Sequence, residues 1–319
     1  MCAIYGFLNY GNKVHHRVLL RLIRELSIAA ECRGTDATGI SYIKNGEIIT
    51  FKKAKPAHKL HLYFPRNTVA VIGHNRMTTQ GSEKKNYNNH PFHGKTDDHA
   101  FALAHNGVLY NDTEVKAQYR LPETPIETDS YAAVQMLEQY ETLDSSTLKE
   151  VSEVLRGSFV FTVLRDDNTL FLVRGNNPIT LYHYPELGLY VYASTKEILD
   201  KALKLCYIKG YPVSYRINEG DIIRIDPDGK IFLSKFEMKE DYRFDWRSLF
   251  RDSWMPEDDI CSAEILDICG YYGIEKEDVE LLMSMGYTVD EIEEMLTDTD
   301  YYESALAEAK AYNSIAEEV

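Results

Sequence analysis

A cysteine in the second position could act as a nucleophile. The chain begins Met1-Cys2, and a methionine that precedes so small a residue is readily removed by aminopeptidase. Removal would place a thiol with a pKa of about 8.5 beside an α-amino group with a pKa of about 8, so the amine could accept the thiol proton near neutral pH. Taken alone, the dipeptide favours the plainer alternative, in which Cys2 is only a small apolar residue that opens a strand.

Three further positions have residue types that suit a free amino acid as substrate. Arg76 follows an apolar strand and offers a planar fork for a carboxylate, although a structural salt bridge is the alternative. Asp129 offers a negative charge for an ammonium group, but Thr128-Asp129 before a helical pattern also fits a helix N-cap. Asn106-Gly107 could direct two N–H donors at an oxyanion, and the same dipeptide is a strong hairpin-turn signal.

These residues fall in segments that resemble the successive motifs of the class II glutamine amidotransferases. In chain order the segments are Met1-Cys2, RGTDATG (33–39), GHNRMTTQG (73–81), NHP (89–91), HNGVL (105–109) and TDS (128–130). Their order and spacing match, and the likeness covers roughly residues 2–236. The pattern is similar to the glutaminase domains of glucosamine-6-phosphate synthase and glutamine phosphoribosylpyrophosphate amidotransferase.

The resemblance implies a mechanism in which Cys2 attacks the side-chain amide of glutamine, forms a glutamyl-thioester and releases ammonia. It implies no cofactor and no metal. The catalytic residues that it implies are Cys2, Asn106 and Gly107, and the substrate-binding residues are Arg76, Asp129, Thr79 and Arg33. His74, His90 and His105 lie in the motifs but are expected to be structural.

Two positions depart from the pattern of the family. Met77 stands where relatives often carry Trp, and Gln80 stands where some carry His. Both departures leave a glutamine site plausible. Because of these departures, the resemblance does not predict how the pocket closes or how it signals to a synthase.

The apolar periodicity predicts an α+β fold. Short runs that suit strands lie at 2–8, 40–43, 47–51, 69–73, 101–105, 159–164, 169–173, 180–184, 189–193, 221–225 and 231–236. Helical spacing appears at 17–32, 129–140, 146–155 and 195–205. Many strands with few helices favour sheets covered by helices over alternating βαβ units. The resemblance implies, more specifically, the four-layer αββα sandwich of the N-terminal-nucleophile hydrolases with a small helical appendage at the C-terminus.

A step in charge marks a boundary late in the chain. Residues 241–319 hold 22 Asp and Glu against 5 Lys and Arg, whereas the preceding 240 residues are close to neutral. We therefore expect a glutaminase domain at 1–240, a connector at 241–257 and an acidic helical segment at 258–319. A formal net charge of -15 makes non-specific nucleic-acid binding a poor expectation, because that binding rests on cations that neutralise phosphates.

Targeting and redox patterns point to the cytoplasm. The N-terminus lacks the basic-then-apolar pattern of a signal peptide, and the chain holds no run of eighteen apolar residues, so no membrane association is expected. The five cysteines form no CxxC pair and no metal-ligand spacing, and we interpret them as free thiols.

The acidic segment has three open interpretations. Residues 275–310 faintly resemble small three-helix ubiquitin-associated modules, with Val279, Leu282, Met283, Ile292 and Leu296 as core positions. A helical appendage that packs on the protein or on a second subunit, as in a homo-oligomer, is the plainer alternative. The acidic and aromatic character also fits a docking site for a basic partner.

Nothing in the sequence supplies a centre that would use the ammonia. It contains no phosphoribosyl-binding pattern, no sugar-isomerase domain, no ATP-pyrophosphatase loop and no P-loop. Three hypotheses follow. The chain could be a glutaminase whose acceptor site lies on a separate protein, an amidohydrolase that cleaves a γ-glutamyl or related amide without nitrogen transfer, or a non-enzymatic relative with a binding or regulatory role.

Overall fold

Short strands rich in β-branched and aromatic residues dominate the first part of the chain. The computed structural model describes residues 2–238, 275–285, 287, 292, 302–307 and 309–310. In chain order the strands are β1 Ala3–Asn9, β2 Ala37–Lys44, β3 Glu47–Lys53, β4 Ala70–Arg76, β5 Phe92–Lys95, β6 Ala100–Leu109, β7 Gly157–Arg165, β8 Leu170–Arg174, β9 Thr180–Tyr184, β10 Leu189–Ala193, β11 Val213–Tyr215, β12 Asp221–Ile225 and β13 Ile231–Lys235.

The strands form two antiparallel sheets. The first sheet has the order β11-β9-β10-β1-β4-β2-β3, and the second has the order β13-β12-β8-β7-β6-β5. β1 lies near the middle of the first sheet, where Ala3 pairs with Asn75 of β4. Cys2 therefore stands at the end of a strand that is held on both sides, next to the end of β4 that carries Arg76.

Five helices accompany the sheets in residues 2–238. They are α1 His16–Ala29, α2 Asp112–Gln118, α3 Tyr131–Leu137, α4 Ser145–Val154 and α5 Lys196–Lys204. Side-chain caps define the start of α4, where Asp144 accepts from two main-chain N–H groups, and of α5, where Thr195 accepts from Ile198 N.

Three apolar clusters stack the elements into layers. One cluster joins α1 and α5 to the first sheet through residues such as Leu22, Leu199 and Val191. A second lies between the sheets and includes Ile72 and Val160. A third joins the second sheet to α3 and α4; it contains Phe161, Val134 and Leu148. The layers are thus helix, sheet, sheet and helix, so the prediction of an α+β, four-layer αββα fold is confirmed.

The predicted strands and helices are present, with ends that differ by a few residues. The sequence patterns missed the shortest strands, β5 and β11, and the helix α2. β5 carries only four residues and begins just after a cis peptide bond between His90 and Pro91. So short a run bears too few apolar positions to show a period.

Residues 242–319 form a separate unit, because the chain divides into Met1–Asp241 and Tyr242–Val319. Its described part contains helix α6, Lys276–Ser284, and a helical stretch at 302–307. A small buried cluster includes Val279, Leu282, Ile292, Tyr302, Ala305 and Ala309. The expected connector at 241–257 and the expected core position Leu296 lie outside the described residues. Among the described helices none has the length and apolar character that spanning a membrane requires.

Candidate active site

Cys2 is buried at the N-terminal end of β1. Its Sγ donates a 3.4 Å hydrogen bond to the Met77 carbonyl, and its own carbonyl accepts a 3.1 Å hydrogen bond from Arg33 Nε. Burial raises the pKa of the Cys2 thiol, while the Arg76 guanidinium lowers it and the Asp129 carboxylate raises it. The thiol is therefore protonated at neutral pH, and Arg76 and Asp129 both lie close enough to influence it.

Arg76 ends β4 and is buried. Its Nη1 donates a 2.7 Å hydrogen bond to Asn89 Oδ1. Its Nη2 donates to the carbonyls of Gln80 and Gly81. The guanidinium therefore holds the segment that follows β4, in which Thr79 is half-buried. The salt-bridge alternative is wrong for this residue, because the groups that accept its hydrogen bonds are an amide oxygen and main-chain carbonyls.

Asn106 and Gly107 lie inside strand β6, where they pair with Val160 and Phe159 of β7. The hairpin-turn alternative is therefore wrong. Gly107 has a φ of 140°, and a Cβ built there would lie 1.9 Å from the Ser158 carbonyl oxygen. Only glycine fits at this position, because any side chain would clash and would strain the backbone.

The Asn106 side chain is buried without a hydrogen-bond partner among the described residues. This holds for both its Oδ1 and its Nδ2. A buried amide without partners costs about 1–3 kcal/mol, so most are eliminated from folded proteins unless they have a role. The main-chain carbonyl of Asn106 accepts a 3.0 Å hydrogen bond from Asn177 Nδ2, which fixes the backbone but not the side chain.

Asp129 is buried beside the end of β6. Its Oδ2 accepts a 2.6 Å hydrogen bond from Leu109 N, and Ser130 Oγ lies 3.3 Å from its Oδ1. Helix α3 begins at Tyr131, and no side chain caps it at Ser130. The N-cap alternative is thus wrong for Asp129, whose carboxylate instead attaches the start of α3 to the strand of Asn106.

Three histidines of the motifs lie close together in the interior. His90 stacks on His74 with 4.2 Å between ring centroids, and His74 Nε2 pairs with the His105 carbonyl at 2.9 Å. Burial lowers the pKa of His74 to about 3, and it lowers the pKa of His90 and of His105 as well. All three rings are therefore neutral, and neither nitrogen of His90 has a partner among the described residues.

Several residues of the site were not expected from the sequence. Asn89 orients Arg76, Asn177 holds the backbone of Asn106, and Lys52 donates to the carbonyls of Asn89 and Pro91. Burial lowers the pKa of Lys52 to about 8. Asn177 follows β8 in an Asn-Asn-Pro sequence that is typical of a turn. Its spacing from the motifs gave no indication that it contacts Asn106. The described residues contain no group of three or more His, Cys, Asp and Glu arranged to hold a metal.

Comparisons with known sequences give a family match in the middle of the first unit. Residues 74–201 match the family model of a glutamine amidotransferase domain. The chain is 27% identical over 210 residues to a 7-cyano-7-deazaguanine synthase of Sulfolobus acidocaldarius, covering 63% of this chain and 44% of that protein. It is 30% identical over 189 residues to a glutamine–fructose-6-phosphate aminotransferase of Geobacillus kaustophilus, covering 56% of this chain and 30% of that protein. The match thus spans less than half the length of either relative.

Solved structures share the fold. A glutamine phosphoribosylpyrophosphate amidotransferase from B. subtilis superimposes with a TM-score of 0.57 at 18% identity, covering 75% of this chain and 50% of that one. A structure described as the allosteric regulatory enzyme of purine biosynthesis gives a TM-score of 0.60 at 18% identity, with the same coverage. The expected resemblance to class II glutamine amidotransferases is confirmed.

Proposed function

Because this chain carries a glutamine amidotransferase domain of the class II type, we propose that it is a glutaminase whose nucleophile is the thiol of Cys2. The proposal includes removal of Met1, which makes Cys2 the N-terminal residue. The buried and unpartnered amide of Asn106 supports it most directly. A hydrogen-bond donor that has no acceptor in the described part of the chain, on a backbone held by Asn177, is what an oxyanion-forming reaction requires.

The first step is proton transfer from the Cys2 thiol to its own α-amine. Burial raises the pKa of the thiol and keeps it protonated, so the attack needs a base, and an unperturbed α-amine, whose pKa is about 8, suits that role. The thiolate then forms a bond to the amide carbon of the glutamine side chain, and the carbonyl π electrons move to oxygen. Asn106 Nδ2 and the Gly107 N–H donate to that oxyanion.

Collapse of the tetrahedral intermediate completes the first half of the reaction. The C–N bond breaks, and the amide nitrogen takes the proton held by the α-amine and leaves as ammonia. The product is a glutamyl-thioester on Cys2. Water then attacks the thioester, and its proton passes through the same amine to the thiolate, which releases glutamate and restores the thiol.

Recognition of the free amino acid rests on Arg76 and Asp129. Arg76 pairs with the α-carboxylate and Asp129 with the α-ammonium, while Thr79 and Arg33 line the pocket. Because Arg76 Nη2 is bonded to the Gln80 and Gly81 carbonyls, a bidentate carboxylate must replace at least one of them. Glutamine binding is therefore coupled to a change in the segment after β4.

The ammonia is delivered to an acceptor on a separate protein, in the cytoplasm. Ammonia that reaches bulk water at neutral pH is mostly protonated and is then no nucleophile, so the two active sites must be in contact. The acidic segment at 258–319 is the part of the chain that we propose for this docking, since its charge would attract a basic partner.

Labelling and turnover together test the nucleophile. We expect the purified protein to have lost Met1 by intact mass, and a glutamine analogue with a diazoketone in place of the amide to label Cys2. Cys2→Ala should abolish ammonia release from glutamine while leaving the fold intact, and Cys32→Ala, at an exposed cysteine, serves as the matched control. Full glutaminase activity in Cys2→Ala would exclude the assignment.

A further inference from the structure

The hydroxyl of Ser130 lies between a histidine and the carboxylate of Asp129. Ser130 Oγ is 2.6 Å from His105 Nδ1 and 3.3 Å from Asp129 Oδ1. All three residues are buried, at 1–2% exposure. A serine hydroxyl has one hydrogen to donate, so it can donate to only one of these two neighbours at a time.

The other nitrogen of His105 decides which neighbour receives the hydrogen. His105 Nε2 lies 3.3 Å from the Ser158 carbonyl oxygen, and a carbonyl can only accept, so Nε2 carries the ring proton. Since burial keeps the ring neutral, Nδ1 has a lone pair and is an acceptor. The Ser130 hydrogen therefore points at Nδ1, which agrees with the shorter of the two distances.

This arrangement leaves one oxygen of Asp129 without a competing donor. Oδ2 accepts from Leu109 N, and among the described residues the one donor within hydrogen-bonding distance of Oδ1 is Ser130 Oγ, whose hydrogen is directed elsewhere. We propose that His105 is a positioning residue: it draws the Ser130 hydrogen away from Asp129, so that Oδ1 is open to the α-ammonium of the substrate. The inference rests on the proposed function, because it concerns the same site. It explains why that site would select ligands that bear an α-ammonium.

Ligand binding in a Cys2→Ala background tests this without depending on turnover. L-glutamine is compared with 4-carbamoylbutanoate, which is glutamine without the α-amino group. In His105→Phe the Ser130 hydrogen has only Asp129 to bond. We expect glutamine to bind about tenfold more weakly, as for a lost hydrogen bond to a charged group, and the analogue to bind with unchanged affinity.

Two further variants separate positioning from packing. Ser130→Ala removes the competing hydrogen. Relative to Ser130→Ala alone, the double variant with His105→Phe should therefore bind glutamine less than twofold more weakly. His105→Asn places an amide oxygen near the position of Nδ1 and should restore most of the affinity. Equal loss for both ligands in His105→Phe, or no relief in the double variant, would overturn the inference.

If His105→Phe does not fold, nitrogen-15 chemical shifts of the His105 ring in the intact protein test the inference instead. We expect a protonated Nε2 and an unprotonated, hydrogen-bonded Nδ1. The opposite tautomer would contradict the inference. Failure of the proposed function has a different signature, because the protein would then bind no glutamine in any variant, or Cys2→Ala would still hydrolyse it.

Discussion

Asn177 holds the main chain of Asn106, with 3.0 Å between its Nδ2 and the Asn106 carbonyl oxygen, while the side-chain amide of Asn106 has no hydrogen-bond partner among the described residues. The backbone of Asn106 is thus fixed, and its side-chain amide is left as the donor that we propose. A preorganised donor of this kind costs stability in the resting protein. It lowers the barrier of a reaction that develops charge at the same point.

Replacing Asn106 should slow the chemical step without weakening substrate binding. We expect Asn106→Ala to lower kcat for glutamine hydrolysis by roughly 10²–10³ with little change in KM, as for other oxyanion donors. The melting temperature should not fall much, because the lost amide makes no hydrogen bond. Steady-state kinetics and thermal unfolding measure both. A rise in KM alone would show that Asn106 only shapes the pocket.

Arg76 should be sensitive to a change that keeps its charge. Arg76→Ala should raise the KM for glutamine more than Arg76→Lys does, and Arg76→Lys should itself remain well above the wild type, because lysine retains the charge but loses the planar fork. Asn89→Ala is the matched control, since it removes the 2.7 Å contact that orients Arg76 and leaves the guanidinium in place. Wild-type KM in Arg76→Lys would argue against a bidentate carboxylate.

The buried ring of His90 should make the protein sensitive to acid. Burial lowers the pKa of His90 well below 6.5, so the folded state keeps it neutral while the unfolded chain binds a proton as the pH falls through about 6.5. Stability is therefore lost on acidification, by about 1 kcal/mol per pH unit between pH 6 and pH 5. His90→Leu should make this dependence less steep by removing the contribution of His90, while those of His74 and His105 remain, and should be no less stable at pH 7.

Denaturant unfolding at several pH values measures the effect of His90→Leu. His61→Leu, at an exposed position, serves as the control and should leave the pH dependence as in the wild type. An equally steep loss of stability in His90→Leu and in the wild type would mean that other groups dominate acid unfolding.

The acidic segment should determine partner binding and not glutamine hydrolysis. We expect deletion of residues 258–319 to leave glutaminase activity intact and to abolish recovery of a partner that is captured by the full chain at low salt. Recovery by the full chain should itself weaken at high salt, because screening reduces attraction between exposed charges. Val279→Ser places a polar group in the buried cluster of the second unit without changing its charge. It therefore tests whether partner binding needs the folded unit as well as its acidic residues. Partner recovery that survives the deletion would rule out docking through this segment.

The sequence allowed most of the fold to be predicted, and the principal site residues stay predictions from the sequence. Strands and helices of ordinary length were predicted because their apolar spacing is local, and the two-sheet arrangement followed from the number of strands and from the resemblance. Cys2, Arg76, Asn106 and Asp129 were each identified with an alternative structural role. For the last three the structure excludes the specific alternative within the described residues, because Asn106 lies within a strand, the Asp129 side chain does not cap α3, and Arg76 donates to an amide oxygen and to main-chain carbonyls.

By itself, the sequence determined which chemical groups are present and which elements carry them, because residue type and periodicity are properties of neighbouring positions. Only the tertiary structure decided how those groups use one another. The contacts of Ser130 with His105 and of Asn177 with Asn106 join residues 25 and 71 positions apart. Both depend on the register of β6 against its neighbours, because a change of one residue in that register would turn the His105 side chain to the opposite face of the sheet and move the Asn106 carbonyl away from Asn177.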